Sequence, residues 1–151
     1  MLKNLQLDTI VPIIIVSSSI SLLIYFAWKT LITSNLFQKG LNFYQENDYQ
    51  NAEAVFRQVT SINSTNDVVR LLLGDTLLKQ GKVEQAIEKY QEVIIRAPKK
   101  VDAYLRLSRI YMQQEQKSLA IEYLQKAQEV LQKRQPEKAE EISQLLEKLN
   151  Q

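Results

Sequence analysis

The chain has no cysteine and no histidine. Without thiols there is no disulfide framework and no thiolate nucleophile, and zinc sites of the Cys/His kind are excluded. Without imidazole, the commonest general base near neutral pH is missing. Glycine and proline are scarce, three of each in 151 residues. That is few for a sheet-rich domain with many turns. Charge is nearly balanced, at a net +2 with no basic block, which does not imply nucleic acid. Neither a GxGxxG nor a GxxxxGKS/T phosphate loop occurs. These absences lead us to expect a chain that is not an enzyme and uses no cofactor and no metal. Glu84, Glu88 and Glu92 are spaced four apart on one helix face. They are expected to form a solvated face with Lys82 and Lys89, not a metal site.

What is present begins with one long apolar run. From Thr9 to Trp28 the sequence TIVPIIIVSSSISLLIYFAW carries no charge, and Asp8 and Lys29 bracket it. Twenty helical residues rise about 30 Å, the thickness of a bilayer's hydrocarbon core. Tyr25 and Trp28 stand at one end, where amphipathic aromatics favour the interface. Pro12 is expected in the first turn, where its missing N–H costs little. No small-x-small cleavage site follows in YFAWKTLITS, so an uncleaved transmembrane anchor is expected. The hydroxyls of Ser17, Ser18 and Ser19 are expected to bond carbonyls of the preceding turn. Beyond the run come Lys29 and Lys39, with no acid until Glu46, while Lys3 before it is offset by Asp8. This bias expects the larger part of the chain on the cytoplasmic side or its organelle equivalent.

The rest of the chain repeats itself. GKVEQAIEKY at 81–90 is echoed by NDYQNAEAVF at 47–56 and by EQKSLAIEYL at 115–124, each offset by 34 residues. The frames run 33–66, 67–100 and 101–134. Their position 8 holds Gly40, Gly74 and Ser108, and position 11 holds Phe43, Leu77 and Tyr111. Position 20 holds Ala52, Ala86 and Ala120, position 24 holds Phe56, Tyr90 and Leu124, and position 27 holds Val59, Val93 and Ala127. Small residues let two antiparallel helices approach, and bulky ones fill the space beside the contact. Replacing Ala86 by Leu would overpack that contact at about 1–3 kcal/mol. Asn47 and Gly81 fall at the turn between the helices, where they meet a positive φ easily. Asp67 is expected to cap its helix and Pro98 to close the second frame. After Pro136, the residues Ala139, Ile142, Leu145, Leu146 and Leu149 make one apolar stripe. One apolar and one polar face is what a terminal capping helix requires, over residues 135–151.

The recurring positions resemble the tetratricopeptide repeat: small at 8, aromatic at 11, Ala at 20, aromatic at 24, Ala at 27, Pro at 32. LGDTLLKQGKVEQAIEKYQEVIIRAP in the second frame matches best. The first departs most, with Leu36 for the aromatic at position 4 and Ser64 for Pro at 32. The resemblance implies an all-α chain: a tail and transmembrane helix over 1–32, then a superhelix of three repeats, then the cap. It also implies that positions 5, 9 and 12 line a concave partner-binding groove. These are Phe37, Leu41 and Tyr44, then Leu71, Asp75 and Leu78, then Leu105, Arg109 and Met112. Seven of the nine are apolar or aromatic, so the groove is expected to take an apolar peptide or helix, with Asp75 and Arg109 setting its register. Part of the trough could instead be filled by the chain's own segment at 30–36. The family's clamp for a C-terminal carboxylate resembles Lys at 5 and Asn at 9 of the first repeat. Here Phe37 and Leu41 stand there, so chaperone tails are not the expected ligands.

The whole order, one membrane helix and then three repeats and a cap, resembles the hypothetical chloroplast reading frame family of membrane-anchored repeat proteins. That resemblance implies a scaffold for assembly or stability of photosystem I at a plastid or cyanobacterial thylakoid membrane. The repeats would face the stroma and hold photosystem I subunits or assembly intermediates as protein partners. The alternative is a bacterial membrane-anchored chaperone of the periplasmic or secretion type.

Overall fold

A computed structural model describes residues 2–150, with side chains described over 10–149. Seven helices and no strand occur among the described residues. They are α1 (Leu2–Gln45), α2 (Tyr49–Ile62), α3 (Asp67–Lys79), α4 (Val83–Arg96), α5 (Val101–Gln113), α6 (Lys117–Gln132) and α7 (Pro136–Asn150). Met1 and Gln151, the ends of the expected tail and cap, lie outside the described residues. The side chains of Lys3 and Asp8, used in the charge bias, do so as well.

The helices form three antiparallel hairpins and a last helix. Each hairpin turns in the same way. The pivots Asn47, Gly81 and Glu115 have φ of 61°, 76° and 60°. The following N–H groups of Asp48, Lys82 and Gln116 bond back to the carbonyls of Phe43, Leu77 and Tyr111 at 2.9, 2.9 and 2.8 Å. This is the left-handed closure of a helix C-terminus. Only the middle pivot is the glycine that such a φ favours. Side-chain caps start two of the following helices. Asp48 Oδ1 accepts from the Asn51 N–H at 3.2 Å, and Asn66 Oδ1 accepts from the Val69 N–H at 3.1 Å. The cap of α3 is therefore Asn66, not Asp67. Asp67 is the first helical residue, where its carboxylate takes Arg70 and Arg96 instead.

The small positions are where the helices close. Ala52, Ala86 and Ala120 have no exposed surface, and Phe56 and Tyr90 are fully buried beside them. A Cβ on Gly40 would stand 2.6 Å from a Phe56 ring carbon, and one on Gly74 would stand 2.5 Å from a Tyr90 ring carbon. Glycine at these two places is a demand of close approach, not of backbone freedom. In the third hairpin Ser108 takes the small place, buried, with its hydroxyl donating to the Leu105 carbonyl at 2.9 Å. Leu77 and Leu124 are buried, while Phe43 and Tyr111 are half-buried, Tyr111 stacking on Tyr123 with ring centres 5.5 Å apart. Each fully buried large side chain contributes about 1.5–3 kcal/mol of hydrophobic stabilisation.

Two core clusters result. One joins the first two hairpins to Ala103, Leu107 and Ile110 of α5. The other lies between the third hairpin and α7. There Ala139, Ile142 and Leu146 are buried against Leu124, Ala127 and Leu131. Leu145, expected in the same stripe, is 44% exposed. It lies about 100° around the helix from Leu146, off the covered face.

The apolar run is the outer part of α1. Side chains from 10 to 28 are exposed throughout, and this is the one helix among the described residues long and apolar enough to cross a membrane. Pro12 lies inside it, ten residues from its start, not in a first turn. The Leu, Lys and Gln residues before Thr9 are good helix formers and carry the helix further out. The Ser17, Ser18 and Ser19 hydroxyls donate to the carbonyls of Ile14, Ile15 and Ile15 at 3.0, 2.9 and 2.8 Å. The helix runs unbroken through 32 and 33, so the apolar run and the first repeat share one rod.

Candidate functional site

α3 and α5 meet through the Asp75–Arg106 pair, and Tyr44 of α1 joins the same surface. Their facing surfaces, with Tyr90 of α4 behind, form a concavity of about 510 Å³. At its centre is Asp75. Arg106 Nε and Nη2 donate to Asp75 Oδ1 and Oδ2 at 2.8 and 2.9 Å, a two-point fork. The Tyr90 hydroxyl donates to Asp75 Oδ1 at 2.7 Å. The carboxylate thus holds the third repeat to the second and fixes the ring that fills the second hairpin. Burial, and then the hydrogen bond to Asp75, push the Tyr90 phenol well above its ordinary range. The Arg106 guanidinium is raised by its own hydrogen bonds to Asp75 and stays charged at any working pH. Tyr44, across the concavity, is also raised, by burial and then by the charge of Asp75.

Five of the nine expected groove residues line this concavity: Tyr44, Asp75, Leu78, Leu105 and Arg109. The other four do not. Leu71 is only 4% exposed and belongs to the core. α3 is the middle helix, covered from both sides, so its apolar residues are not confined to one stripe. Phe37 and Leu41 pack against the first cluster, Phe37 with its ring 6.5 Å from that of Phe56. Met112 is exposed and lies outside the lining. A charge placed at Leu71 would therefore disrupt the core, not test a binding surface.

The expected apolar trough is corrected in character too. Lys79, Asp102, Arg106 and Gln113 join the lining, so apolar walls at Tyr44, Leu78 and Leu105 flank a charged floor. Arg106 and Lys79 lie outside positions 5, 9 and 12, so the repeat pattern does not name them. Arg106 falls 31 residues after Asp75 instead of 34, one helical turn nearer its N-terminus. The distance of about one repeat between opposite charges was the available signal. Of the cations here, Lys79 and Arg109 make no ion pair among the described residues, while Arg106 is occupied by Asp75.

Two further networks tie the repeats. Glu53 Oε2 accepts from Lys82 Nζ at 2.7 Å and from Gln80 Nε2 at 2.8 Å, and Glu53 Oε1 accepts from Arg57 Nε at 2.8 Å. Burial alone would raise this carboxyl, but the bonds from Lys82, Arg57 and Gln80 outweigh it and bring it down to about 2. Arg70, buried, donates to Glu92 at 2.9 Å, to Asp67 at 3.1 Å and to the Ser64 carbonyl at 2.8 Å. Glu92 also takes Lys89. The helix face of Glu84, Glu88 and Glu92 is therefore partly structural.

Two sequence models of the tetratricopeptide repeat match the chain, over residues 71–141 and 43–88. The chain carries tetratricopeptide repeats, as its helix hairpins do in space. Among solved structures it is similar to the Yersinia enterocolitica type III secretion chaperone SycD in complex with a peptide of the translocator YopD. The two are 22% identical, with a TM-score of 0.69, over 78% of this chain and 91% of that one. It is similar to the TPR2B domain of yeast Sti1 in its pHsp70 complex, at 20% identity and a TM-score of 0.68 over 78% and 95%. The Arabidopsis OM64 TPR domain follows at 17% identity and 0.63, over 77% and 94%. No curated protein matches the chain. Likeness at this identity establishes the fold.

Proposed function

We propose that the chain is a membrane-anchored scaffold, not an enzyme, that holds a protein segment in the concavity of its repeats. The observation that carries this reading is the concavity itself. It is open, it has apolar walls around a charged floor, and it is built on a helix that continues into an exposed apolar span. Its ligand is an amphipathic helix or strand, with apolar side chains against Tyr44, Leu78 and Leu105 and an acidic group toward Lys79 and Arg109. SycD, of the same fold, is described with a translocator peptide bound, which fits such a role.

The particular complex we propose is photosystem I. The repeats stand on the stromal or cytoplasmic side of a thylakoid membrane and hold a subunit during assembly. The support is the resemblance in architecture to the chloroplast reading frame family and the charge bias around the apolar run. The test is to purify the tagged full chain from its native membranes and identify what accompanies it. Photosystem I subunits at low stoichiometry, lost in a Leu78→Asp/Leu105→Asp variant that keeps its helical signal, would support the reading. Recovery of secretion components, with repeats protected from protease on the far side of the membrane, would replace it by the secretion-type chaperone.

A further inference from the structure

The two ends of the repeat stack differ in charge, and α1 fixes which end meets the membrane. In each hairpin the second helix runs back along the first. Tyr49 of α2 meets Tyr44 of α1 with ring centres 5.6 Å apart, and Phe56 meets Phe37. Continuing that register, the end of α2 at Ile62 stands level with residues near 32. The later hairpins stack in the same direction. Glu53 pairs with Lys82 and Arg57 donates to Gln85, which sets α4 alongside α2; Asp75 pairs with Arg106, which sets α5 alongside α3. The connections between repeats, at 62–67, 96–101 and 132–138, therefore lie at the end of the stack from which α1 departs toward its apolar span. The turns within repeats, at 45–50, 79–84 and 113–118, lie at the other end.

The connections carry six cations, Arg96, Lys99, Lys100, Lys133, Arg134 and Lys138, against the two acids Asp67 and Glu137. The turns carry three cations and four acids. Arg96 is occupied by Asp67. The other five cations make no ion pair among the described residues. Four of them, Lys99, Lys100, Arg134 and Lys138, line one cleft of about 430 Å³ between the start of α5, the end of α6 and α7, where they outnumber Asp102 and Glu141. A row of unpaired cations is self-repelling, and no ion pair among the described residues offsets it.

We propose that this basic edge is a second membrane contact, which rests on the anionic lipid headgroups of the leaflet that α1 leaves. The inference rests on the reading of α1 as an anchor. The distances suit it. The first connection, level with residue 32, stands roughly 6 Å beyond Trp28 at the rise of a helix, and the basic connections stack on the same side. That is within one Debye length, about 8–10 Å at ordinary salt, so anionic headgroups attract the edge. Two contacts, one through the bilayer and one on it, fix the tilt of the stack. The concavity then opens along the membrane surface, where it meets the surface-lying parts of membrane proteins.

The absence of native cysteine allows a direct test with the full chain. A single fluorophore is placed at Gln132→Cys, on the basic edge, or at Gln114→Cys, on the opposite end. Each labelled chain is reconstituted in neutral or anionic vesicles that carry a headgroup quencher. Flotation reports anchoring, and quenching reports the edge. The expected result is flotation in both lipids, with quenching of the 132 label in anionic vesicles only and none at 114. About 0.5 M NaCl should abolish that quenching. The Lys99→Gln/Lys100→Gln/Arg134→Gln variant should lower the docked-to-free ratio on the order of 100-fold, with its helical signal unchanged. Flotation without any lipid-dependent quenching at 132 would overturn the inference and leave the anchor standing. Failure to float on neutral vesicles would remove anchor and inference together. Binding of polyglutamate through the same three residues, with no headgroup quenching, would assign the edge to an acidic peptide and overturn the lipid contact.

Discussion

Gly74→Ala is the sharpest test of how this stack is held. The new methyl would stand 2.5, 2.9 and 3.0 Å from three ring carbons of Tyr90. Carbon atoms prefer about 3.5–4.0 Å, so the ring must retreat by about 1 Å. It has no free direction. Tyr90 is fully buried, and its hydroxyl is held at 2.7 Å by Asp75, which Arg106 holds in turn. Overpacking and a weakened bond to a charged acceptor together cost about 2–4 kcal/mol. Alanine regains about 1 kcal/mol of helix propensity over glycine. The net expectation is a loss of about 1–3 kcal/mol, read as a shift in the urea midpoint of the full chain in lipid nanodiscs by circular dichroism. Gly40→Ala meets Phe56 at a similar 2.6 Å, but that ring has no hydroxyl tether, so its loss should be smaller. In a Tyr90→Leu background the Gly74→Ala penalty should shrink by at least about 1 kcal/mol, because the methyl enters vacated space. A neutral or stabilising Gly74→Ala, or full additivity with Tyr90→Leu, would refute the reasoning.

Asp75→Asn removes the charge that occupies Arg106 and weakens the bond from Tyr90. It should cost about 1–3 kcal/mol in the same titration. It should also tighten binding of acidic peptides, measured by fluorescence anisotropy, since Lys79, Arg106 and Arg109 then face the groove together. Glu53 supports a pH prediction. Its carboxyl is held at about 2 in the folded chain against an ordinary 4.5. A depressed carboxyl stabilises the fold above its unfolded value and loses that contribution as pH falls. Glu53→Gln should therefore be less stable than the parent by on the order of 2 kcal/mol at pH 6, a gap closing from about pH 4.5 down to 2 in melts followed by circular dichroism. A gap independent of pH would exclude this assignment. Two of the turn pivots predict opposite signs. Gly81→Ala, at φ 76°, should lose about 1 kcal/mol, whereas Glu115→Gly, at φ 60°, should gain about 0.5–1 kcal/mol, both read as melting-temperature shifts.

Much of this fold is written locally. The 34-residue offset, the small residues at 40, 74 and 108, and the alanines at 52, 86 and 120 follow from helix–helix contact, which a sequence displays because the same contact is made three times. The apolar run at 9–28 is legible for a similar reason: its composition has one dominant cause. The groove was only half legible. Tyr44, Asp75, Leu78, Leu105 and Arg109 were named from repeat positions, but the same rule named Leu71, which the neighbouring helices cover on both sides. Periodicity shows that a residue lies on a face and does not say what another helix puts against that face.

What the sequence determined by itself is the unit: a helix hairpin, its turn, its count, and an apolar span before it. What only the tertiary structure decided depends on residues brought together across units. The Asp75–Arg106–Tyr90 centre joins three helices from two repeats, and no spacing rule places its three groups in contact. The basic edge is assembled from two connections about 36 residues apart, which come together at the end of the stack from which the unbroken α1 departs. Local packing repeats along a chain, and so it can be read there. Charge organisation is set by distances through space, and those exist only after the hairpins have stacked.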